Sequence, residues 1–180
     1  MPAYSGNLQK VHREAAMTSA LHTPLRIRRM STKDDAERCA RMMSSSEPWI
    51  TLQRDHEKSL EILQKPDREV YLAFRRDELL GFLILNMNGP FAGYIQSICV
   101  EPAKRSTGIG PELMRFAEDR IFRESPNVFL CCSSFNPRSQ RFYERLGYEV
   151  IGELRNFIVA GQSEILMRKT SGTWNEFGKR

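Results

Sequence analysis

Arg105-Ser106-Thr107-Gly108-Ile109-Gly110 joins a fixed positive charge to two glycines. It follows a run that reads as a strand, Tyr94 to Val100, and precedes one that reads as a helix, Glu112 to Arg123. A basic, glycine-containing loop in that position suits phosphate. Helix N-termini leave backbone N–H groups without partners, and their dipole favours anions. Gly108 and Gly110 permit close backbone approach and unusual φ values, and Arg105 adds charge-assisted hydrogen bonds. The spacing excludes G-x-x-x-x-G-K-[ST] and G-x-G-x-x-G, so the loop is neither a Walker A loop nor a dinucleotide fingerprint. A second segment, Asn136 to Tyr148, sets a helix-capping Asn136 before Pro137 and places a phenol, Tyr143, on the helix.

The pattern R-x-x-G-x-G resembles the acetyl-coenzyme A loop of the GNAT N-acetyltransferase superfamily. The segment Asn136 to Tyr148 is similar to that family's N-x-x-[AS]-x-x-[FL]-Y-E-x-x-G-[FY], matching at Asn136, Ser139, Phe142, Tyr143, Glu144, Gly147 and Tyr148. The second motif resembles the branch that acetylates protein N-termini, including ribosomal-protein enzymes. The resemblance covers about Leu25 to Lys169. It implies transfer of acetyl from acetyl-CoA, as co-substrate, to a primary amine of a small molecule or protein by direct attack in a ternary complex.

It also implies roles. Arg105, Ser106, Thr107, Gly108, Ile109 and Gly110 would hold the pyrophosphate of coenzyme A. Main-chain groups of Ile98, Cys99 and Val100 would serve the thioester, with a bulge there freeing an N–H. Asn136, Ser139 and Tyr143 complete the cofactor-binding set, and Tyr143 is the catalytic residue, protonating the departing thiolate. A phenol pKa of ~10 keeps that proton in place at neutral pH. Pro111 departs from the family pattern. Proline suits a first helical turn but removes one N–H, so cofactor binding is expected to be weaker.

The general base stays open. The central strand offers Tyr94, Gln96 and Ser97, none acidic. Glu69, Glu101 and Glu164 remain, each read first as a solvated surface carboxylate; a water chain to a remote carboxylate is the alternative. Cys131 and Cys132 sit in a continuous apolar run, which argues against an acyl-cysteine intermediate.

Composition bounds these readings. The chain has 180 residues, 41% hydrophobic, with a net charge of +5 and a pI near 9.2. That supports one domain with a core. No apolar stretch approaches the ~18 residues of a membrane span. The charge suits an anionic ligand, and the scattered basic residues make nucleic acid an unfavoured partner. Cys39, Cys99, Cys131 and Cys132 and the three histidines have no metal spacing, so no metal is expected. The cysteines read as core residues in a reducing compartment, hence the cytoplasm. A homodimer is common in the family, but no interface is legible. A non-catalytic acyl-CoA sensor with the same fold is the competing function.

The elements that must position these residues follow from periodicity. Met1 to Pro24 lacks a signal-peptide core and reads as a loosely ordered extension. Leu25 to Met30 alternates as a strand. Ser31 with Asp34 reads as a capping box before a helix burying Ala36, Cys39, Ala40 and Met43. Thr51 is expected to cap a second helix to about Gln64. Glu69 to Phe74 and Leu79 to Asn86 flank the tetrapeptide Arg75 to Glu78 as a hairpin. The third helix buries Leu113, Phe116, Ala117 and Ile121, and Asn127 to Ser133 reads as a buried strand. Gly147 suits the left-handed residue after the fourth helix. Tyr148 to Leu154 and Ser163 to Arg168 close the domain around Ala160-Gly161, and residues 170–180 form a tail. The order is β-α-α-β-β-β-α-β-α-β-β, an α/β arrangement that the resemblance identifies as the GNAT fold. That fold is a mixed sheet whose two central strands splay around the pantetheine arm. Acceptor walls are expected from Ser44 to Thr51, residues 86–91 and Asn156 to Gln162, with Trp49, Phe91 and Phe157 as lining aromatics.

Overall fold

The structure is a computed structural model describing residues 24–178. The expected extension, Met1 to Pro24, lies outside the described residues except for Pro24. The elements are β1 (Arg26–Arg29), α1 (Lys33–Ser44), α2 (His56–Leu63), β2 (Arg68–Arg75), β3 (Glu78–Asn86) and β4 (Tyr94–Val100). A 3-10 turn (Pro102–Lys104) leads to α3 (Ile109–Ile121), β5 (Asn127–Ser133), α4 (Pro137–Arg145), β6 (Glu149–Arg155) and β7 (Ser163–Thr170). This is the expected order. The strands form one mixed sheet, β1-β2-β3-β4-β5-β7-β6.

Each face of the sheet has its own core. Leu83, Leu113, Met114, Ala117, Ile121 and Leu130 pack under α3 and α4. Cys39, Met43, Leu63, Leu72, Phe82 and Ile84 pack under α1 and α2. Helix α3 buries the predicted Leu113, Ala117 and Ile121 fully, with Phe116 at the margin. Asn136 accepts from the Ser139 N–H at 3.2 Å and caps α4 as expected. Gly147 holds φ at 87° after that helix.

Several local expectations shift. The capping box of α1 is Thr32 with Asp35, one residue beyond Ser31 and Asp34. Asp35 also receives both Nη atoms of Arg28, at 2.7 and 2.8 Å, which draws it inward and fixes the frame. Helix α2 starts at Asp55, which accepts from the Lys58 N–H at 2.9 Å, and not at Thr51. The intervening stretch coils around buried Trp49 and Leu52, and the left-handed Gln53 (φ 54°) interrupts any helix there. The β2–β3 loop is the dipeptide Arg76-Asp77, since Arg75 and Glu78 pair within the strands.

Two irregularities in β4 matter for the site. The β3–β4 register passes from Ile84↔Ser97 to Leu85↔Ile95, leaving Gln96 as an extra residue. The bulge is therefore at Gln96, upstream of the Ile98–Val100 stretch where the resemblance put it. Further, β4 and β5 pair only at Tyr94↔Phe129 and Ile95↔Leu130. Beyond those pairs the strands part, and the lost main-chain bonds leave a wedge.

Candidate active site

The loop between β4 and α3 is an open array of donors. Ser106 and Gly108 both take positive φ, 66° and 89°. Among the described residues, the amides of Ser106, Thr107, Gly108, Ile109 and Gly110 donate to no protein acceptor. The left-handed turn at Gly108 accounts for this, because the first α3 bond runs from the Glu112 N–H back to the Gly108 carbonyl. An added Cβ at Gly108 would meet nothing within 4 Å, so glycine serves conformation there. At Gly110 it would touch the Phe142 ring at 3.4 Å.

Guanidinium groups surround those amides. Arg138 donates from Nη2 to Ser106 Oγ at 2.8 Å, and Arg105 from Nε to the Val100 carbonyl at 3.2 Å. Both line a first chamber of about 720 Å³, together with Arg145. Of the predicted set, Ile98, Val100, Ser106, Gly108 and Gly110 also face it. Asn136, Ser139 and Tyr143 do too. Three side chains do not. Cys99 is buried in the α1/α2 core, Ile109 in the α3/α4 core, and Thr107 turns its hydroxyl to the Lys104 carbonyl at 2.6 Å. Only their main chains can contribute.

A second chamber of about 760 Å³ lies against the first. Trp49, Ile98, Asn136, Ser139 and Tyr143 line both, so the two form one cleft with Tyr143 at the junction. The expected aromatics Trp49, Phe91 and Phe157 all face the second chamber. Tyr143 packs between Phe142 and Tyr148, with ring centroids at 5.2 and 6.0 Å. Its hydroxyl bonds to no described residue and is not sealed from the cleft. Burial pushes the phenol well above its ordinary pKa, which keeps it a proton donor at any physiological pH.

The three candidate bases separate sharply. Glu69 is clamped by Arg120 (2.7 and 2.9 Å) and by the Tyr71 hydroxyl (2.8 Å), and it faces neither chamber. Burial alone would raise its pKa, but those bonds hold it below the usual value. Glu101 faces neither chamber either. Glu164 is only 4% exposed and lines the second chamber, so the surface reading fails for it. Ser133 Oγ donates to its Oε1 at 2.7 Å, across the Ser133↔Glu164 pair of β5 and β7. Burial raises this carboxyl's pKa, against the opposing pull of Ser133 and Arg54.

Cys131 also departs from expectation. It is half-buried and lines the second chamber, because β5 alternates and its open edge faces the wedge. Burial raises its pKa, leaving a neutral thiol and a poor nucleophile. Arg54 and Arg138 carry no site role in the sequence reading, and Glu164 figures there only as one of three candidate bases, read first as a surface carboxylate. Arg138 sits inside the second motif at a variable position. Glu164 had a fainter signal: period two puts it on the face of Leu166, opposite Met167.

The profile of the acetyltransferase (GNAT) family matches residues 32–148. No curated protein sequence matches the chain. A GNAT-family protein from Desulfovibrio desulfuricans superposes with a TM-score of 0.70 at 20% identity, over 83% of this chain and 100% of that one. The aminoglycoside 6'-N-acetyltransferase from Enterococcus faecium gives 0.61 at 20% identity, over 81% and 96%. A spermidine N-acetyltransferase from Vibrio cholerae, solved with CoA and spermine, gives 0.63 at 17% identity, over 81% and 95%. At these identities the likeness is one of fold. The family profile reaches further, running unbroken from the cap of the first helix to the aromatic end of the second motif, and the chain belongs to the acetyltransferase (GNAT) family.

Proposed function

We propose that this protein moves an acetyl group from acetyl-CoA to a primary amine by direct attack in a ternary complex. The observation that carries the reading is a single cleft in which a phosphate-binding loop and an acceptor chamber meet at a free tyrosine hydroxyl. The amides of residues 106–110, with Arg105 and Arg138, take the pyrophosphate. The unpaired edges of β4 and β5 offer main-chain groups to the pantetheine arm. That leads the thioester to Tyr143.

Glu164 then takes the proton from the acceptor ammonium, directly or through one water, and the amine nitrogen attacks the thioester carbon. A main-chain N–H of β4 beyond the Gln96 bulge steadies the oxyanion, a contribution of ~2.7–4 kcal/mol in comparable sites. As the C–N bond forms and the C–S bond breaks, Tyr143 gives its proton to the thiolate, and the surplus proton on the acylated nitrogen passes back to the phenolate, which leaves a neutral amide and a restored phenol. Relatives of the same fold carry the names of amine acetyltransferases, which supports an amine acceptor. The catalytic unit is residues 25–169. All four cysteines are free thiols, which supports a reducing compartment such as the cytoplasm. No helix among the described residues is long and apolar enough to cross a membrane.

A sensor that merely binds acyl-CoA would need neither a carboxylate in the acceptor chamber nor an unengaged phenol. The deciding experiment follows thiol release from acetyl-CoA with a panel of amines. Amine-dependent release that Tyr143→Phe suppresses supports the enzyme. Calorimetric CoA binding without any release would establish the sensor.

A further inference from the structure

The second chamber carries an unusual charge pattern for a site that receives an ammonium. Apart from the phenols of Tyr94 and Tyr143 and the thiols of Cys131 and Cys132, its ionisable lining is Arg54, Arg68 and Glu164, so cationic side chains outnumber carboxylates. Arg68 is engaged by Gln96 and Asp67. Arg54 is different. Its guanidinium makes no hydrogen bond or ion pair with any described residue, although it is only half-exposed.

The backbone nevertheless holds Arg54 firmly. Its N–H donates to the Trp49 carbonyl at 2.9 Å. The left-handed Gln53 precedes it, and Lys58 Nζ donates to the Gln53 carbonyl at 3.1 Å. Asp55 follows immediately as the cap of α2. The fold thus aims a partly desolvated cation into a cavity where Glu164 attracts it through space but makes no ion pair with it. Arg54 and Glu164 are not ion-paired with each other, so the space between them is open to something carrying both charges. Burial lowers the Arg54 pKa, the mark of a cation short of a partner.

A polycation has no place here. Spermidine or an aminoglycoside would bring several ammonium groups to one carboxylate and a guanidinium that no described residue hydrogen-bonds or ion-pairs. Like-charge contact in a partly desolvated chamber opposes that. We propose, building on the acetyltransferase reading above, that the acceptor is a primary amine bearing its own carboxylate. The amine lies toward Glu164 and Tyr143, and the carboxylate lies on Arg54. The guanidinium fork matches a carboxylate in two parallel bonds.

The test uses the full chain and a panel of free amino acids, ω-amino acids and dipeptides, each paired with its C-terminal amide. Spermidine and an aminoglycoside serve as controls. Acetylation should favour the free carboxylates over their amides. Arg54→Gln should raise KM for the carboxylates by roughly tenfold to a hundredfold, the loss expected for one charge-assisted contact. At a pH well above the Glu164 limb, where loss of the Arg54 charge does not alter that carboxylate's ionisation, it should leave kcat and the KM for the amides nearly unchanged, and Arg54→Lys should restore part of the affinity. CoA affinity, measured by calorimetry, should be the same in all three proteins, which certifies the fold and isolates the acceptor side. Preferred turnover of the polycations or the amides, or an Arg54→Gln protein indifferent to the carboxylate, overturns the acceptor class while leaving acetyl transfer standing. Absence of CoA binding to the unaltered protein would overturn the acetyltransferase reading itself, and with it this inference.

Discussion

The first chamber draws its donors from five consecutive main-chain amides, Ser106 to Gly110, whereas the second draws its chemistry from side chains on separate stretches: Arg54, Tyr94, Cys131 and Glu164. The contrast has a physical origin. A pyrophosphate is a fixed target, and backbone N–H groups at a helix start meet it regardless of side-chain identity. What the sequence must then supply is conformation, hence the glycines and their positive φ. An acceptor is variable, and selecting one requires charges at chosen points in space. Those points come from the α1–α2 connection, β4, β5 and β7, which only the folded sheet brings together.

Variants at the junction carry the largest effect, because the bond exchange takes place where the two chambers meet. Tyr143→Phe is expected to lower kcat by about 10²–10³-fold, within the usual contribution of a positioned acid. Acetyl-CoA affinity and thermal stability should barely move, because the lost hydroxyl bonds to no described residue. Steady-state thiol release alongside a thermal melt would check this. An undiminished kcat would remove the proton-donor role and leave Tyr143 as packing.

Glu164→Gln probes the second chamber alone. It should lower kcat by about 10²-fold without weakening CoA. The pH profile sharpens the point. Burial raises the Glu164 pKa, so the base is lost as pH falls through a value above that of an ordinary glutamate. The wild-type rate should therefore rise with pH through that region, and the Gln variant should lack the limb. Stability runs the other way. The folded state binds this proton more tightly than the unfolded one, so its contribution is present at low pH and fades as pH rises through the folded pKa. At neutral pH the Gln variant should melt no earlier than the wild type. A lower melting temperature there would argue that the charged carboxylate is a structural group.

The first chamber answers to smaller changes. Arg138→Gln should weaken CoA about tenfold, an effect that shrinks as salt screens the phosphates, with acceptor KM untouched. Calorimetry at low and high ionic strength reads this. Smallest is Pro111→Ala, which returns one N–H to the start of α3 and should tighten CoA by about threefold to fivefold, the worth of a single net hydrogen bond. Equal or weaker binding would show that the amides of 106–110 already saturate the diphosphate.

These same two regions explain what could be read from the chain before folding. The element order, the capped start of α4 at Asn136 and the apolar stripe of α3 depend on local periodicity and were visible. So was the loop. Three local details were not. The α1 cap moved to Thr32 because Arg28, on another element, claims Asp35. The start of α2 moved to Asp55 because burial of Trp49 and Leu52 overrides helical spacing. The bulge fell at Gln96, since register is set by the partner strand. Glu164 belongs with these. A lone glutamate between Ser163 and Ile165 looks solvated until Ser133, thirty-one positions away, arrives beside it.

The parting of β4 from β5 has a mechanical side. Among the described residues, two paired residues on each strand are all the direct rungs that join the front of the sheet, β1 to β4, to its rear, β5 to β7. Elsewhere along that line the halves meet through helix packing and a few side-chain contacts at one end, the Phe91–Phe129 ring pair and the Ser125 hydroxyl on the Ala92 carbonyl. The molecule is thus built with a seam, and a slender chain lodged in it acts as mortar. Filling the seam should knit front and rear into one cooperative block, raising the melting temperature with ligand concentration and slowing amide exchange on both bordering strands.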